Sequence, residues 1–368
     1  AECPLRYYLR YGVDLKEREE FTFSPVNFGV VLHAVIREVC DEIKKNGESY
    51  YLISEEKRRE MVKRSVAAIT DIYQNSILKD SSRNSFMIKR MEDLADRTIW
   101  AMGEQLKCGD FVPFVFEHKF NMEVGDGDRK QLMSGTIDRV DICENGTDVY
   151  VRIIDYKTGK KDFNIVKTYY GIDIQLMVYM EAAMKLVAKM RPGKNVIPAG
   201  VFYYNISDPI VSATTESAEE IEDKIKGELR LKGMVNSDKE IAEKMDNTEG
   251  TSLNIPVSRK ADGGFDSRRS KVMNTEQFNM LGRFVDVRAV DTADRIAGGD
   301  IRRSPYKDGQ FSSCDRCPYG AVCGFSVDLP GCNYRKLKKF DDEVLWNNIK
   351  EGVDENGKKM DTGAEERD

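Results

Sequence analysis

Gly135-Thr136-Ile137-Asp138-Arg139-Val140-Asp141, followed by Ile153-Ile154-Asp155-Tyr156-Lys157-Thr158-Gly159 and Gln175-Leu176-Met177-Val178-Tyr179, is the stretch around which the chain is organised. In the first two segments apolar and β-branched residues flank an acid, or an acid and a lysine. That is the pattern of neighbouring β-strands. Asn145-Gly146 lies between them and predicts a two-residue hairpin turn. Antiparallel pairing across this turn sets Asp138 near Asp155. Asp155 and Lys157 are two apart, so on a strand they project from one face. Two carboxylates and one ammonium group then converge. The plain structural reading is a surface hairpin with an ordinary Asp–Lys ion pair. The functional reading is metal-assisted phosphodiester hydrolysis. Hard oxygen ligands favour Mg²⁺ or Mn²⁺, which acidify water and neutralise charge on a phosphate. Lys157 would orient the water or offset developing negative charge.

Composition frames this reading. A chain of 368 residues can form one large domain or two smaller ones. Charged residues at 33% and hydrophobic ones at 40% fit a soluble globular protein. No run of eighteen apolar residues and no signal peptide is present, which speaks against membrane insertion and secretion. Eight cysteines, below disulfide-scaffold density, favour a reducing cytoplasm. The net charge of −6 does not advertise nucleic-acid binding, so any DNA contact must use local basic surface. Ala1-Glu2-Cys3 lacks an initiator methionine, and an excised domain with more protein upstream is expected.

Along the chain, Ser24-Pro25 predicts a helix start, continuing through an apolar face of Val31, Leu32, Val35, Ile36 and Val39. His33 sits off the centre of that stripe. Residues 55–108 read as helical with a break within 75–85, forming a layer over the sheet. Residues 111–120 read as a strand with Glu117 and His118 on opposite faces, and His118 is taken as structural. Gly125-Asp126-Gly127-Asp128 lacks the remaining ligands of a calcium loop and predicts a turn. An amphipathic helix is expected over 172–189, with Gln175 and Tyr179 on one face. Residues 197–206 predict a core strand, and 214–244 an acidic, peripheral helix. Arg259, Lys260, Arg268, Arg269 and Lys271 crowd a polar, Gly-containing segment that is a candidate flexible contact to phosphate. A solvated loop is its plain alternative. Residues 275–297 return to helix, and the charged tail after about 348 is expected to fray.

Cys314-x₂-Cys317-x₅-Cys323 supplies three thiolates and needs a fourth ligand. Zinc and an iron–sulfur cluster both accept four thiolates, and spacing does not separate them.

Asp138, Asp155-Tyr156-Lys157 and Gln175-xxx-Tyr179 resemble the PD-(D/E)XK nuclease core in its RecB-like form. Gly29-Val30-Val31-Leu32-His33 resembles the helix that supplies a histidine ligand in that branch. Cys3-Pro4 with Arg6-Tyr7-Tyr8, and Cys314-Asp315-Arg316-Cys317-Pro318-Tyr319 ending at Cys323, narrow the resemblance to AddB-type nuclease domains. It runs from Cys3 to about Arg335. The resemblance implies an α/β fold with a central mixed sheet flanked by helices, a helical layer and a C-terminal cysteine-rich clasp. The expected organisation is a helical part (1–110), a nuclease core (111–210), a helical and loop insertion (211–300), an iron–sulfur clasp (301–347) and a tail (348–368).

The resemblance also implies roles. His33, Asp138 and Asp155 would bind the metal, the Tyr156 carbonyl being a further candidate, and Lys157, Gln175 and Tyr179 would complete the catalytic set. Glu117 matches an acidic position that recurs before the catalytic hairpin. Cys3, Cys314, Cys317 and Cys323 would hold a [4Fe–4S] cluster, with Cys332 the main rival for the fourth place. Such domains cut the 5′-terminated strand of DNA during double-strand-break repair. No Gly-x-x-x-x-Gly-Lys-Ser/Thr segment occurs here, so unwinding would fall to a partner, AddA. The competing readings are a non-catalytic metal-stapled DNA-binding module and a stand-alone RecB-like exonuclease.

Overall fold

The computed structural model describes residues 2–16, 25–72, 82–124, 130–212 and 217–365. The Ser24 cap, the turn at Gly125 to Asp128 and most of the break within 75–85 lie outside the described residues. The chain opens with α1 (Pro4–Tyr7) and one π-helical turn (Tyr8–Gly12), then runs through α2 (Pro25–Lys45), α3 (Glu55–Ile72) and α4 (Ser82–Lys107). Three strands follow: β1 (Val112–Val124), β2 (Gln131–Asn145) and β3 (Asp148–Lys157). A crossover of α5 (Ile165–Tyr169) and α6 (Gln175–Met190) leads to β4 (Asn195–Asn205). Next come α7 (Ala218–Glu228), β5 (Lys232–Asn236), α8 (Lys239–Met245), β6 (Val272–Met273) and α9 (Thr275–Ala297). A small second sheet contains β7 (Tyr306–Asp308) and β8 (Phe311–Ser312), then β9 (Arg335–Lys336) after α10 (Gly320–Cys323). The last element is α11 (Asp342–Glu365).

The main sheet has the order β1-β2-β3-β4-β5-β6 and is mixed, as expected. β3 pairs antiparallel with β2 and parallel with β4, the parallel step being the one that needs a helical crossover. Every β3 residue from Val149 to Tyr156 is buried, because helices cover both faces. Tyr150, Ile154 and Tyr156 join the core formed with α2, α3 and α4. Val149, Val151 and Ile153 join the opposite core with α6, α9 and α11. The alternation of the strand is therefore what aims Asp155 at the α6 side.

The hairpin turn is displaced by one residue from the sequence reading. Asn145 still pairs with Asp148, so the loop is Gly146-Thr147. Gly146, at φ +60°, takes the position that a primed turn reserves for glycine. A larger difference concerns 214–244, expected to be peripheral. β5 extends the main sheet from β4, and Val235, Ile241, Ala242 and Met245 are buried. Gly233 permits this pairing: a Cβ there would stand 1.9 Å from the Val201 carbonyl oxygen. α6 begins at Gln175 rather than near 172, since Asp173 is engaged with the Tyr203 hydroxyl. The tail expected to fray from about 348 is helical through Glu365, anchored by buried Leu345 and Ile349. No helix among the described residues is long and apolar enough to cross a membrane.

Candidate active site

Three elements far apart in sequence deliver the acidic centre. His33 from α2 places Nδ1 3.4 Å from Glu117 Oε1 of β1 and 3.5 Å from Asp138 Oδ1 of β2. Ligand atoms of these three residues all lie within 4.8 Å of one another. Glu117 holds φ +46°, a left-handed backbone rare for a residue with a side chain. Such outliers persist where the surrounding structure enforces them, often at functional sites. Asp138 Oδ2 accepts the Tyr156 amide at 2.7 Å, which ties the β2 carboxylate to the β3 backbone. Burial pushes the His33 imidazole toward its neutral form. Hydrogen bonds and charge from Asp138 and Glu117 more than offset this and raise its pKa to about 10.

Beside this centre lies a second group. Asp155 forms an ion pair with Lys157, and its Oδ1 accepts Gln175 Nε2 at 3.0 Å. Lys157 Nζ donates to Gln175 Oε1 at 3.2 Å, while Gln175 Nε2 also donates to the Tyr179 hydroxyl at 2.9 Å. Gln175 and Tyr179 share a face of α6 because they are one turn apart. Burial, then the neighbouring Asp138 charge, pushes Asp155 up to about 6, against the opposing pull of Lys157. Its Oδ2, although close to the Lys157 ammonium, receives no directed hydrogen bond from the protein.

The donor set of one imidazole and several carboxylate oxygens fits a divalent ion of the Mg²⁺ or Mn²⁺ kind. The compact set is His33, Glu117 and Asp138, whereas Asp155 is turned toward Lys157 and Gln175. Tyr156 contributes its amide to Asp138, and its ring meets that of His33 in a T-shaped contact at a centroid separation of 5.9 Å. His118 is not in the compact set.

A supporting layer escaped the sequence reading. The Tyr203 ring lies 5.5 Å from Lys157 Nζ and 4.6 Å from Lys161 Nζ, and its hydroxyl donates to Asp173 Oδ1 at 2.7 Å. The only sequence signal was aromatic density in a predicted core strand. Behind the sheet, Asp141 is clamped between Arg139 and Arg152, all three 1% exposed or less. Arg152 Nη2 is 2.8 Å from Asp141 Oδ2 yet outside hydrogen-bond geometry, and Nε makes the directed bond.

The basic residues of 258–271 divide. Arg259 is not a free phosphate contact: its guanidinium donates to the carbonyls of Ala242, Asp246 and Thr248. Those carbonyls lie in the last turns of α8 and just beyond it, and that of Ala242 also accepts the Asp246 amide. Arg269 and Lys271 instead line a large cavity beside the active site, Lys271 paired with Asp162. Lys260 and Arg268 are exposed and line neither that cavity nor the active-site pocket. At the far end of the chain, Cys3, Cys314, Cys317 and Cys323 line one small cavity, which Cys332 does not.

The family model of the PD-(D/E)XK nuclease superfamily matches residues 1–324. A subunit of the ATP-dependent helicase/deoxyribonuclease of Thermoanaerobacter sp. (strain X514) is 33% identical over 372 residues, covering 98% of this chain and 32% of the relative. The subunit of the same name from Caldanaerobacter subterraneus subsp. tengcongensis is 34% identical, covering 100% and 32%. That of Clostridium acetobutylicum is 33% identical, covering 97% and 32%. The chain thus spans about a third of the length of the curated relatives it matches. A mixed sheet that joins Asp138 to an Asp155-x-Lys157 strand, together with a family match over most of its length, makes this chain a member of the PD-(D/E)XK nuclease superfamily.

Proposed function

We propose that this chain is a divalent-metal-dependent DNA nuclease and the nuclease part of an AddB-type helicase/deoxyribonuclease subunit, cutting the 5′-terminated strand during double-strand-break repair. AddA is the expected partner, supplying the ATP-driven unwinding. The observation that carries the reading is the meeting of His33, Glu117 and Asp138 beside the Asp155–Lys157–Gln175 group.

A bound divalent ion would be held by His33, Glu117 and Asp138, with Asp155 at its edge, and would lower the pKa of water while neutralising phosphate charge. The protein's own groups do the rest. The Tyr156 amide fixes the Asp138 carboxylate, so little reorganisation is needed when charge changes nearby. Asp155 and Gln175 hold the Lys157 ammonium, which is placed to orient a water or meet a phosphoryl oxygen. Tyr179 and the Tyr203 ring restrain Gln175 and Lys157 in turn.

The four cysteines around one cavity support a [4Fe–4S] staple joining the first helix to the clasp. The joined ends are already in contact: Leu5 donates its amide to the Arg302 carbonyl, and Ser313 and Arg335 donate to the Glu2 carbonyl. The deciding experiment is cleavage of 5′- and 3′-end-labelled single-stranded DNA with and without Mg²⁺, alongside a visible absorption spectrum. Metal-dependent cleavage that disappears in Asp155→Ala and Lys157→Ala is expected. An intact, folded protein that leaves the DNA uncut would turn the assignment toward a non-catalytic binding module.

A further inference from the structure

We propose that Arg37 of α2 is a further catalytic residue. Its guanidinium grips the non-bridging oxygens of the phosphate at the acidic centre and offsets the charge that builds there during hydrolysis. The inference rests on the nuclease reading above and deepens it by assigning the group that meets this charge.

α2 presents Gly29, Val30, His33, Ala34 and Arg37 to the active-site pocket, which Glu117 and Lys157 line from the sheet. These helix positions recur at three- and four-residue spacing and form one stripe. Arg37 lies one turn beyond His33, about 6 Å further along the helix axis. Gly29, Val30 and Ala34 are short, so nothing on this wall stands between the two longer side chains and the pocket.

The other charged groups of the pocket are already engaged. His33 lies against Glu117 and Asp138, and Lys157 pairs with Asp155. Arg37 is exposed, and among the described residues no carboxylate stands within ion-pair distance of it. Asp41, one turn further on, feels its charge without forming an ion pair. Arg37 is therefore the unengaged cation of this pocket.

Charge balance gives that cation a task. A divalent ion held by a neutral His33 with Glu117 and Asp138, together with the Lys157 ammonium, is matched by three carboxylates once Asp155 is counted. That set leaves nothing to meet the charge of the substrate. Hydrolysis adds water across a P–O bond. As the hydroxide oxygen joins phosphorus, the phosphoryl oxygens pass from one negative charge toward two; the bond to the leaving sugar oxygen then breaks, and that oxygen takes up a proton. Arg37 supplies the missing positive charge. Its planar fork suits two oxygens of one phosphate, which an ammonium cannot span in the same way.

The test uses the whole 368-residue chain and end-labelled oligo(dT) in Mg²⁺, with Mn²⁺ binding measured by calorimetry in parallel. In Arg37→Ala, kcat should fall about 100-fold or more, the scale of one preorganised donor, while KM changes only severalfold. Arg37→Lys should recover part of the rate, and added guanidinium should partly rescue Arg37→Ala without accelerating the wild type. Mn²⁺ should bind Arg37→Ala at least as tightly as the wild type, because a like charge has been removed. Melting temperatures check folding, and Arg37→Gln, which keeps length and polarity, replaces the alanine variant should that one fail to fold. An unchanged kcat would overturn the proposal and make Arg37 a solvated helix residue. A loss confined to KM would also overturn it, as would weakened Mn²⁺ binding, which marks a structural role. An active wild type whose Arg37 variants cleave normally would sink this assignment alone, whereas a folded wild type that leaves the DNA uncut would sink the nuclease reading and this assignment with it.

Discussion

Asp138 and Tyr156 are joined across the β2–β3 hairpin by a 2.7 Å hydrogen bond from the Tyr156 amide to the Asp138 carboxylate. One oxygen of Asp138 is thereby committed to the backbone, while the other stands 3.5 Å from His33. Asp138→Asn retains an oxygen that can accept the amide but removes the charge. It should fold normally and lose metal-dependent cleavage by about 100-fold or more, the scale of one preorganised electrostatic group. Asp138→Ala should in addition lose about 1–3 kcal/mol of stability, because a buried N–H is left unpaired. Turnover of end-labelled DNA and urea unfolding separate the two effects; normal turnover in Asp138→Asn would remove this carboxylate from the reaction.

Glu117 sits at φ +46° in a strand, where glycine would be at ease. Replacing a strand residue by glycine ordinarily costs up to about 1 kcal/mol. Here relief of a backbone strain of order 1–3 kcal/mol opposes that loss. Glu117→Gly is expected to melt no lower than wild type in the absence of metal, yet to bind Mn²⁺ more weakly by calorimetry. A marked drop in melting temperature would mean that the conformation is not held against strain.

Arg139, Asp141 and Arg152 form a buried ion triad between β2 and β3. Removing its central charge leaves two guanidinium groups in a dry core. Asp141→Ala should therefore cost about 3–5 kcal/mol. The concerted change Arg139→Met, Asp141→Leu and Arg152→Met should cost much less, since no orphaned charge remains. Equal losses in the single and triple variants, read from denaturant midpoints, would contradict this expectation.

Asp286 of α9 has its pKa pushed up to about 8, by burial first and then by hydrogen bonding and charge from Glu181 of α6, with Lys185 opposing. An unfolded aspartate ionises near pH 4. Between about pH 4 and 8 the folded chain thus holds a proton that the unfolded chain has released. Stability from this site is full below the unfolded pKa and declines as pH rises through 8. Asp286→Asn should flatten that decline and raise the melting temperature at pH 8.5 by a few degrees. An unchanged pH profile would show that the two carboxyls do not interact.

Cys3 and Cys314 share a cavity although 311 positions separate them. If a metal cluster closes that loop, the entropic constraint on the unfolded chain is on the order of 5 kcal/mol by analogy with a disulfide, less any strain. Cys3→Ala, or removal of bound metal by a chelator, should lower the melting temperature and bleach any cluster absorption. Cys332→Ala should leave the spectrum intact. Unchanged stability after Cys3→Ala would argue against a staple.

Local pattern made much of this molecule legible. The strand periodicity around Asp138 and Asp155, the two-residue spacing to Lys157 and the helical spacing of Gln175 to Tyr179 each reduce to geometry within one element or one hairpin. For that reason the hairpin and the placement of these side chains could be read from the residues themselves, whereas the mixed sheet was implied by the resemblance to the nuclease family. The same rules misplace a segment whose partners are remote. Residues 232–236 resemble acidic helical surroundings in sequence, yet the exposed edge of β4 and the missing Cβ of Gly233 draw them into the sheet. Arg259 likewise reads as a mobile cation until carbonyls at the end of α8 engage it.

Sequence dictates which residues share a face of a strand or a helix, because side-chain direction repeats with a period of two or 3.6 residues. It takes the packed fold to bring His33, Glu117 and Asp138 from α2, β1 and β2 to one point, and to surround one cavity with Arg90, Lys160, Lys232 and Arg269. These residues come from elements tens to hundreds of positions apart. Their meeting depends on how buried faces pack against one another, and no short-range periodicity carries that information.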